Sequence, residues 1–284
     1  MSDAVGARSW GRSVWGREVG MRRVHGIELH EQPWFPRVWR ELFQLSLGRV
    51  VSLIGPFKGA IEPFRALCRT AKPTAILELA SGSGELSVSF WKDVCAESEE
   101  LDSVPLILSD LFPNRDAYHR FVAAHPGRVE CIDEPVDALD PPAGEDRVWM
   151  MLEGLHHFTP DELRTLFGKA TERAAGFVAF ETTQRSWKNI ALVLLTAPTT
   201  VFITSCLVRP FRWRNLLWGL LLPVVPFTMV FDGVMSNLRS YTHEELWDLV
   251  DSAGEGFSWR IEGIPAPGAG GLEITCIFGV REEI

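Results

Sequence analysis

The chain has 284 residues, with 28 Lys and Arg against 37 Asp and Glu, for a formal charge of −9. This balance repels phosphate backbones and argues against a broad nucleic-acid surface. Five cysteines (Cys68, Cys95, Cys131, Cys206, Cys276) are scattered and never form a Cys-x-x-Cys pair, which disfavours a disulfide framework or structural zinc and favours a reducing, cytoplasmic location.

Residues 1–27 read as a basic, disordered tail, with five arginines and two acids over 1–24 and none of the hydrophobic run a secretory signal needs. Residues 28–72 read as a helical cover. After Gln32-Pro33-Trp34-Phe35-Pro36, apolar residues recur at Val38, Leu42, Leu45 and Val50, the spacing of an amphipathic helix. Pro56 and Pro63 punctuate shorter helices before Pro73.

Strands and helices then alternate. Ala75–Leu79, Pro105–Asp110, Arg128–Ile132, Arg147–Leu152 and Gly176–Glu181 are short buried-strand runs. Between the last two, Thr159-Pro160-Asp161-Glu162 has the N-cap, first-turn proline and early acids of a helix start. Such alternation predicts a doubly wound α/β fold, a parallel sheet covered on both faces. It breaks at Arg185. Ile190–Val208 and Asn215–Phe231 carry no charge, Pro198, Pro223 and Pro226 are expected to break helices within them, and Arg209-Pro210-Phe211-Arg212-Trp213-Arg214 lies between them. An amphipathic helix begins near Tyr241, and Phe257–Ile264 with Leu272–Val280 read as a closing antiparallel strand pair. The expected division is tail 1–27, cover 28–72, core 73–184, apolar insertion 185–236 and C-terminal core 237–284.

The sharpest chemical signal is Glu78-Leu79-Ala80-Ser81-Gly82-Ser83-Gly84, which directly follows a strand and opens a helix. Glycines there let the backbone turn tightly and approach a ligand. Asp110 ends the next strand, where an acid can accept hydrogen bonds from both ribose hydroxyls of a nucleoside. A dinucleotide dehydrogenase would want a third glycine at position 87, where Ser87 stands. Asp140-Pro141-Pro142 precedes the fourth strand and lacks a following aromatic, so it reads as a stiff loop.

This set resembles the class I S-adenosylmethionine-dependent methyltransferases, with Ala80 in place of the family's first glycine. The resemblance implies S-adenosylmethionine as cofactor and a Rossmann-like sheet with an antiparallel last strand. It also implies that Glu78 holds the methionine amino group through the loop, that Ala80, Gly82 and Gly84 pass beneath the cofactor, and that Asp110 binds the ribose. Leu111 would pack on the adenine, and Asp137-Ala138 would lie near its amino group. A narrower group of bacterial members shares the Gln32–Pro36 entry, the Leu155–Phe158 segment and the Arg-Pro-Phe-Arg-Trp insertion. Those motifs imply cofactor and reaction but name no acceptor.

Glu153-Gly154-Leu155-His156-His157-Phe158 follows the fourth strand, at the sheet edge where open α/β folds bind ligands. Glu153 is therefore counted with the cofactor residues. In-line methyl transfer requires alignment above all, and a base only where the acceptor must lose a proton. His156 or His157 can supply that base. Arg239 and Tyr241 can close over the acceptor or start a helix. No cluster has metal-ligand spacing in the sequence. The insertion over 187–231 reads as peripheral membrane contact, a buried lid or dimer surface, or a span; arginines and tryptophans between apolar runs suit the first. The expected activity is methyl transfer to a small, apolar or lipid-like acceptor. The alternative is a non-catalytic cofactor-binding or membrane-docked accessory protein.

Overall fold

The computed structural model describes residues 21–96, 98–207, 213–267 and 272–281. The expected tail over 1–20 and most of the basic link around 209–212 lie outside the described residues.

Seven strands form one sheet: β1 (Ala75–Glu78), β2 (Leu106–Leu108), β3 (Val129–Cys131), β4 (Arg147–Leu152), β5 (Gly176–Glu181), β6 (Phe257–Pro265) and β7 (Glu273–Arg281). Their order is β3-β2-β1-β4-β5-β7-β6. The first five are parallel, and β7 runs antiparallel to both neighbours, pairing Phe180 with Cys276 and Ile261 with Ile277. The strand runs are continuously apolar because helices cover both faces. Alternate residues of one strand therefore feed opposite cores. Val178 and Phe180 join Phe90, Trp91 and Tyr118 on one side, while Phe177 and Ala179 join Trp149, Phe167 and Trp259 on the other.

The crossovers are α3 (Glu85–Cys95) with the short α4 (Glu99–Asp102), α5 (Arg115–Ala124), and α6 (Pro160–Arg173), preceded in the chain by α1 (Arg37–Ile54) and α2 (Ile61–Ala71). The anticipated start of α6 is a full capping box, Thr159 accepting from the Glu162 amide and Glu162 reaching back. The insertion comprises α7 (Trp187–Leu207), α8 (Trp213–Leu216) and α9 (Val224–Arg239), and α10 (His243–Val250) follows. Leu42 and Phe43 of α1, Ala197 of α7, and Val225 and Met229 of α9 bury one another in a third core.

Three boundaries differ from expectation. Pro198 lies inside α7 instead of ending it. The proposed edge at 236 falls within α9, which continues through Arg239. The cover also starts before Glu28. Arg23 donates from Nε to the Arg239 carbonyl at 2.6 Å and from a terminal nitrogen to the Phe158 carbonyl at 2.9 Å, and the Val24 amide donates to the Leu238 carbonyl at 3.0 Å, so the chain is already tied to the core at residues 23 and 24. Among the described residues no helix is long and apolar enough to cross a membrane. Trp187, Leu195, Trp213, Leu221 and Phe227 are nevertheless exposed on the insertion.

Candidate active site

Parallel strands present their carboxyl ends along one edge, and each of the five ends in an acid or has one within two residues of its end: Glu78 on β1, Asp110 beyond β2, Asp133 beyond β3, Glu153 directly after β4, and Glu181 on β5. Glu78 is wholly buried. Its Oε1 accepts from the Leu152 amide at 3.1 Å, and its Oε2 has no hydrogen-bond partner. Burial pushes its carboxyl well above the usual range, with the Leu152 amide opposing. A buried carboxylate oxygen left open at the end of a strand is the kind of group a ligand donor completes.

Beyond it the chain makes the expected turn. Gly82 and Gly84 adopt φ of +55° and +75°, in the left-handed region. A side chain at Gly84 would also place its Cβ 2.9 Å from Leu108 Cδ1. Gly84→Ala is accordingly expected to destabilise the fold by about 1–2 kcal/mol from backbone strain alone. Equilibrium urea unfolding would register this, and an unchanged midpoint would contradict it.

Asp110 fastens the turn. Its Oδ2 accepts from the Gly82 amide and its Oδ1 from the Phe112 amide, both at 2.7 Å. Burial raises its pKa, and those two amides oppose the rise. Each oxygen keeps a second lone pair, so a diol can still bind. Leu111 is half exposed beside it. The Val136 amide donates to the Asp110 carbonyl at 2.9 Å, which brings the next loop alongside. Within that loop Ala138 is buried, while Asp137 is exposed and accepts from the Leu139 amide. Ala80 lies next to Gly154, across from the loop after β4. Glu78, the two glycines and Asp110 thus form a fitting cradle for a nucleoside bearing an amine.

The loop after β4 holds the titratable groups. Glu153 sits at φ +56°, uncommon for a non-glycine residue, and its carboxylate accepts from the Thr182 amide at 2.8 Å. It therefore turns toward the end of β5. Burial, reinforced by Glu181, pushes it up to about 7. His156 Nδ1 lies 2.6 Å from Glu181 Oε2, and Glu181 Oε1 accepts from the Leu155 amide at 2.6 Å. Burial alone would lower the imidazole; attraction and hydrogen bonding from Glu181, with help from Glu28, carry it up to about 9. Burial would correspondingly raise Glu181, but His156 wins and holds it low.

His157 is half-buried, with Nδ1 2.5 Å from Glu31 Oε1. Arg239 is 2% exposed and its fork is fully used. It donates to the carbonyls of His156 (3.0 Å) and His157 (2.5 Å) and to Glu31 Oε2 (2.8 Å). The Tyr241 hydroxyl donates to the Phe158 carbonyl at 2.7 Å, beneath the Arg23 guanidinium. Arg239 and Tyr241 thus bond the main chain of residues 156–158, and Arg239 also bonds Glu31. Arg40 of α1 binds the cover from the other side, donating to the His30 and Gln32 carbonyls and lying over Phe112.

Glu181, Glu28, His30 and Glu31 did not stand out in the sequence. Glu181 had a signal, being an acid that ends a buried strand as Glu78 does. The other three come from the N-terminal cover and meet His156 and His157 only through the tertiary fold.

Strand order 3-2-1-4-5-7-6 with an antiparallel seventh strand is the class I methyltransferase fold, and the chain has that fold. No family model matches the chain, and no curated protein does. Among solved structures, the chain is similar to a putative O-methyltransferase from Nostoc punctiforme PCC 73102 (TM-score 0.50, 14% identity, covering 90% of this chain and 64% of that one). It is likewise similar to the mitomycin 7-O-methyltransferase MmcR (TM-score 0.51, 12% identity, covering 89% and 59%). The chain therefore spans less than two thirds of the length of either.

Proposed function

We propose that the protein transfers a methyl group from S-adenosylmethionine to a hydroxyl of a small, apolar acceptor. When bound, that cofactor supplies an electrophilic methyl carbon on a sulfonium. Glu78, Ala80, Gly82, Gly84, Asp110 and Leu111 would hold it, with Asp137, Ala138 and Glu153 near its far side. The observation that carries the reading is the Glu181-clamped His156, at the sheet edge that also bears this cradle.

Methylating a hydroxyl oxygen requires that its proton leave, and the proton needs a receiver within hydrogen-bond reach. Glu181 engages Nδ1 of His156, which fixes the tautomer and leaves Nε2 to accept the proton. Arg239 and Tyr241 hold the carbonyls of residues 156–158, so the ring cannot drift from its line of attack. Exposed apolar side chains of α7 to α9, including Trp187 and Phe227, favour an apolar acceptor delivered along the insertion. They also support peripheral contact of 187–231 with a lipid surface.

Titration with S-adenosylhomocysteine by calorimetry tests the first half. Binding is expected in the wild type and weakened by roughly tenfold or more in Asp110→Ala, which removes a charge-assisted hydrogen-bond acceptor worth about 1.5–3 kcal/mol. Absence of heat in the wild type, or unchanged binding in the variant, would overturn the cofactor assignment. Turnover assayed on a fractionated extract of hydroxylated small molecules and lipids tests the second half.

A further inference from the structure

Beside the loop after β4, residues far apart in sequence bring three ligating atoms together. Glu28 is 1% exposed. Its Oε2 stands 3.6 Å from His30 Nδ1 and 3.8 Å from His157 Nδ1, and the three atoms lie within 4.8 Å of one another. These separations exceed a hydrogen bond. They match the edge of a tetrahedron of ligands about a metal, about 3.4 Å for bonds of about 2.0–2.2 Å.

The surroundings divide the carboxylate oxygens in two. Glu28 Oε1 accepts from Ser236 Oγ at 3.0 Å and faces Arg239 at 3.5 Å, leaving Oε2 to the imidazoles. Glu31 Oε2 takes Arg239 at 2.8 Å, leaving Oε1 on His157 Nδ1. Asp232 Oδ1 accepts from the Leu29 amide at 2.7 Å, while its Oδ2, which also takes the His30 amide at 3.1 Å, reaches His30 Nδ1 at 2.9 Å. Outer groups that fix one oxygen of each carboxylate and turn the other inward are how proteins orient metal ligands. The carboxylates of Glu28, Glu31 and Asp232 outnumber the cations beside them, the Arg239 guanidinium and the His156 ring, so a bound dication meets a site of negative charge. His30 is further fixed by stacking on Phe43, with ring centroids 4.5 Å apart.

We infer that Glu28, His30 and His157 form a binding site for one transition-metal dication of the zinc class, beside Glu31 and Asp232, whose carboxylates bond the two imidazoles. Two nitrogen donors among oxygens favour zinc or its neighbours over magnesium or calcium. The metal takes the Nδ1 lone pairs of rings that carry their one proton on Nε2; a ring protonated at both nitrogens must first release its Nδ1 proton to solvent. The bound metal would fasten the N-terminal cover to the loop after β4, next to His156, whose Nε2 lies 3.8 Å from Glu28 Oε1. This site is independent of the methyl-transfer reading.

The test uses the full chain, freed of metal with a chelator and titrated with Zn²⁺ alone against a chromophoric competitor. One Zn²⁺ per chain is expected, together with a rise in thermal midpoint. Affinity should fall by about 100-fold in His30→Ala and in Glu28→Gln, at least the loss seen on removing an outer-shell partner. His119→Ala should bind as the wild type does, since His119 belongs to a separate surface cluster with Cys131 and Asp133. Co²⁺ loading should give ligand-field bands that vanish in His30→Ala. His30 is partly exposed, and circular dichroism on this variant separates loss of metal from loss of fold. No uptake by the wild type, uptake unchanged in His30→Ala, or uptake lost only in His119→Ala would each overturn the site.

Discussion

Replacing His156 by alanine lowers turnover on a hydroxyl acceptor by about 10²–10⁴-fold, the range for loss of a positioned general base. S-adenosylhomocysteine affinity should stay near wild type, because the cradle of Glu78, Gly82, Gly84 and Asp110 draws no hydrogen bond from His156. Loss of rate with retained cofactor binding separates a proton receiver from a packing residue. A variant that keeps its rate would exclude His156 as base and return the role to His157.

The pH dependence carries the same assignment with a definite sign. Only the neutral ring accepts a proton, and the pKa of His156 is carried up to about 9. At pH 7 roughly 1% of it is neutral, so kcat/KM should climb about tenfold per pH unit and level off near the folded pKa. Glu181→Gln removes the main group raising that pKa, while burial, which lowers it, remains. Its profile should therefore level off at lower pH, with a lower ceiling because the ring is less firmly aimed. An unshifted profile would show that another group titrates. Linkage adds a stability effect of the opposite sign: the His156–Glu181 pair contributes fully below the unfolded histidine pKa of about 6.5, and this is lost as pH rises through about 9.

How much of this was legible beforehand follows from where the information lies. The parallel strands were legible because a strand buried on both faces reads as a continuous apolar run, as Val148–Leu152 and Phe177–Phe180 do. The turn at Gly82 and Gly84 was legible because only glycine takes left-handed φ without penalty. The insertion was visible as composition, but its helix ends were not. Pro198 breaks a helix by local rules, yet α7 continues through it within the bundle formed with α1 and α9. Least legible was the polar cluster. Glu31 and His157 are 126 residues apart, farther than any sequence motif reaches, and packing of the cover against α9 and the turn after β4 brings them to 2.5 Å. The contacts of Arg239 with the His156 and His157 carbonyls were equally hidden, since they join residues 83 and 82 positions apart.

Arg239→Ala is expected to be the most destabilising single change in the site, at about 3–5 kcal/mol, the range for removing one partner of a buried ion pair. Arg239 is 2% exposed, and its neighbour Glu28 is 1% exposed. Alanine would leave Glu28 and Glu31 without their guanidinium and would strand the carbonyls of His156 and His157 in a dry interior. A buried acceptor that loses its donor bears the full desolvation penalty, which is why the loss should exceed that of a surface pair. Arg239→Lys keeps the charge but not the planar fork that serves two carbonyls and a carboxylate at once, so it should recover only part of the deficit. Equilibrium urea unfolding of the two variants reads the effect, and a loss under about 1 kcal/mol for alanine would place Arg239 among the weak surface pairs instead. Activity should fall with stability. The carbonyls that Arg239 holds belong to the same turn that carries the His156 ring, so releasing them loosens the base even in molecules that remain folded.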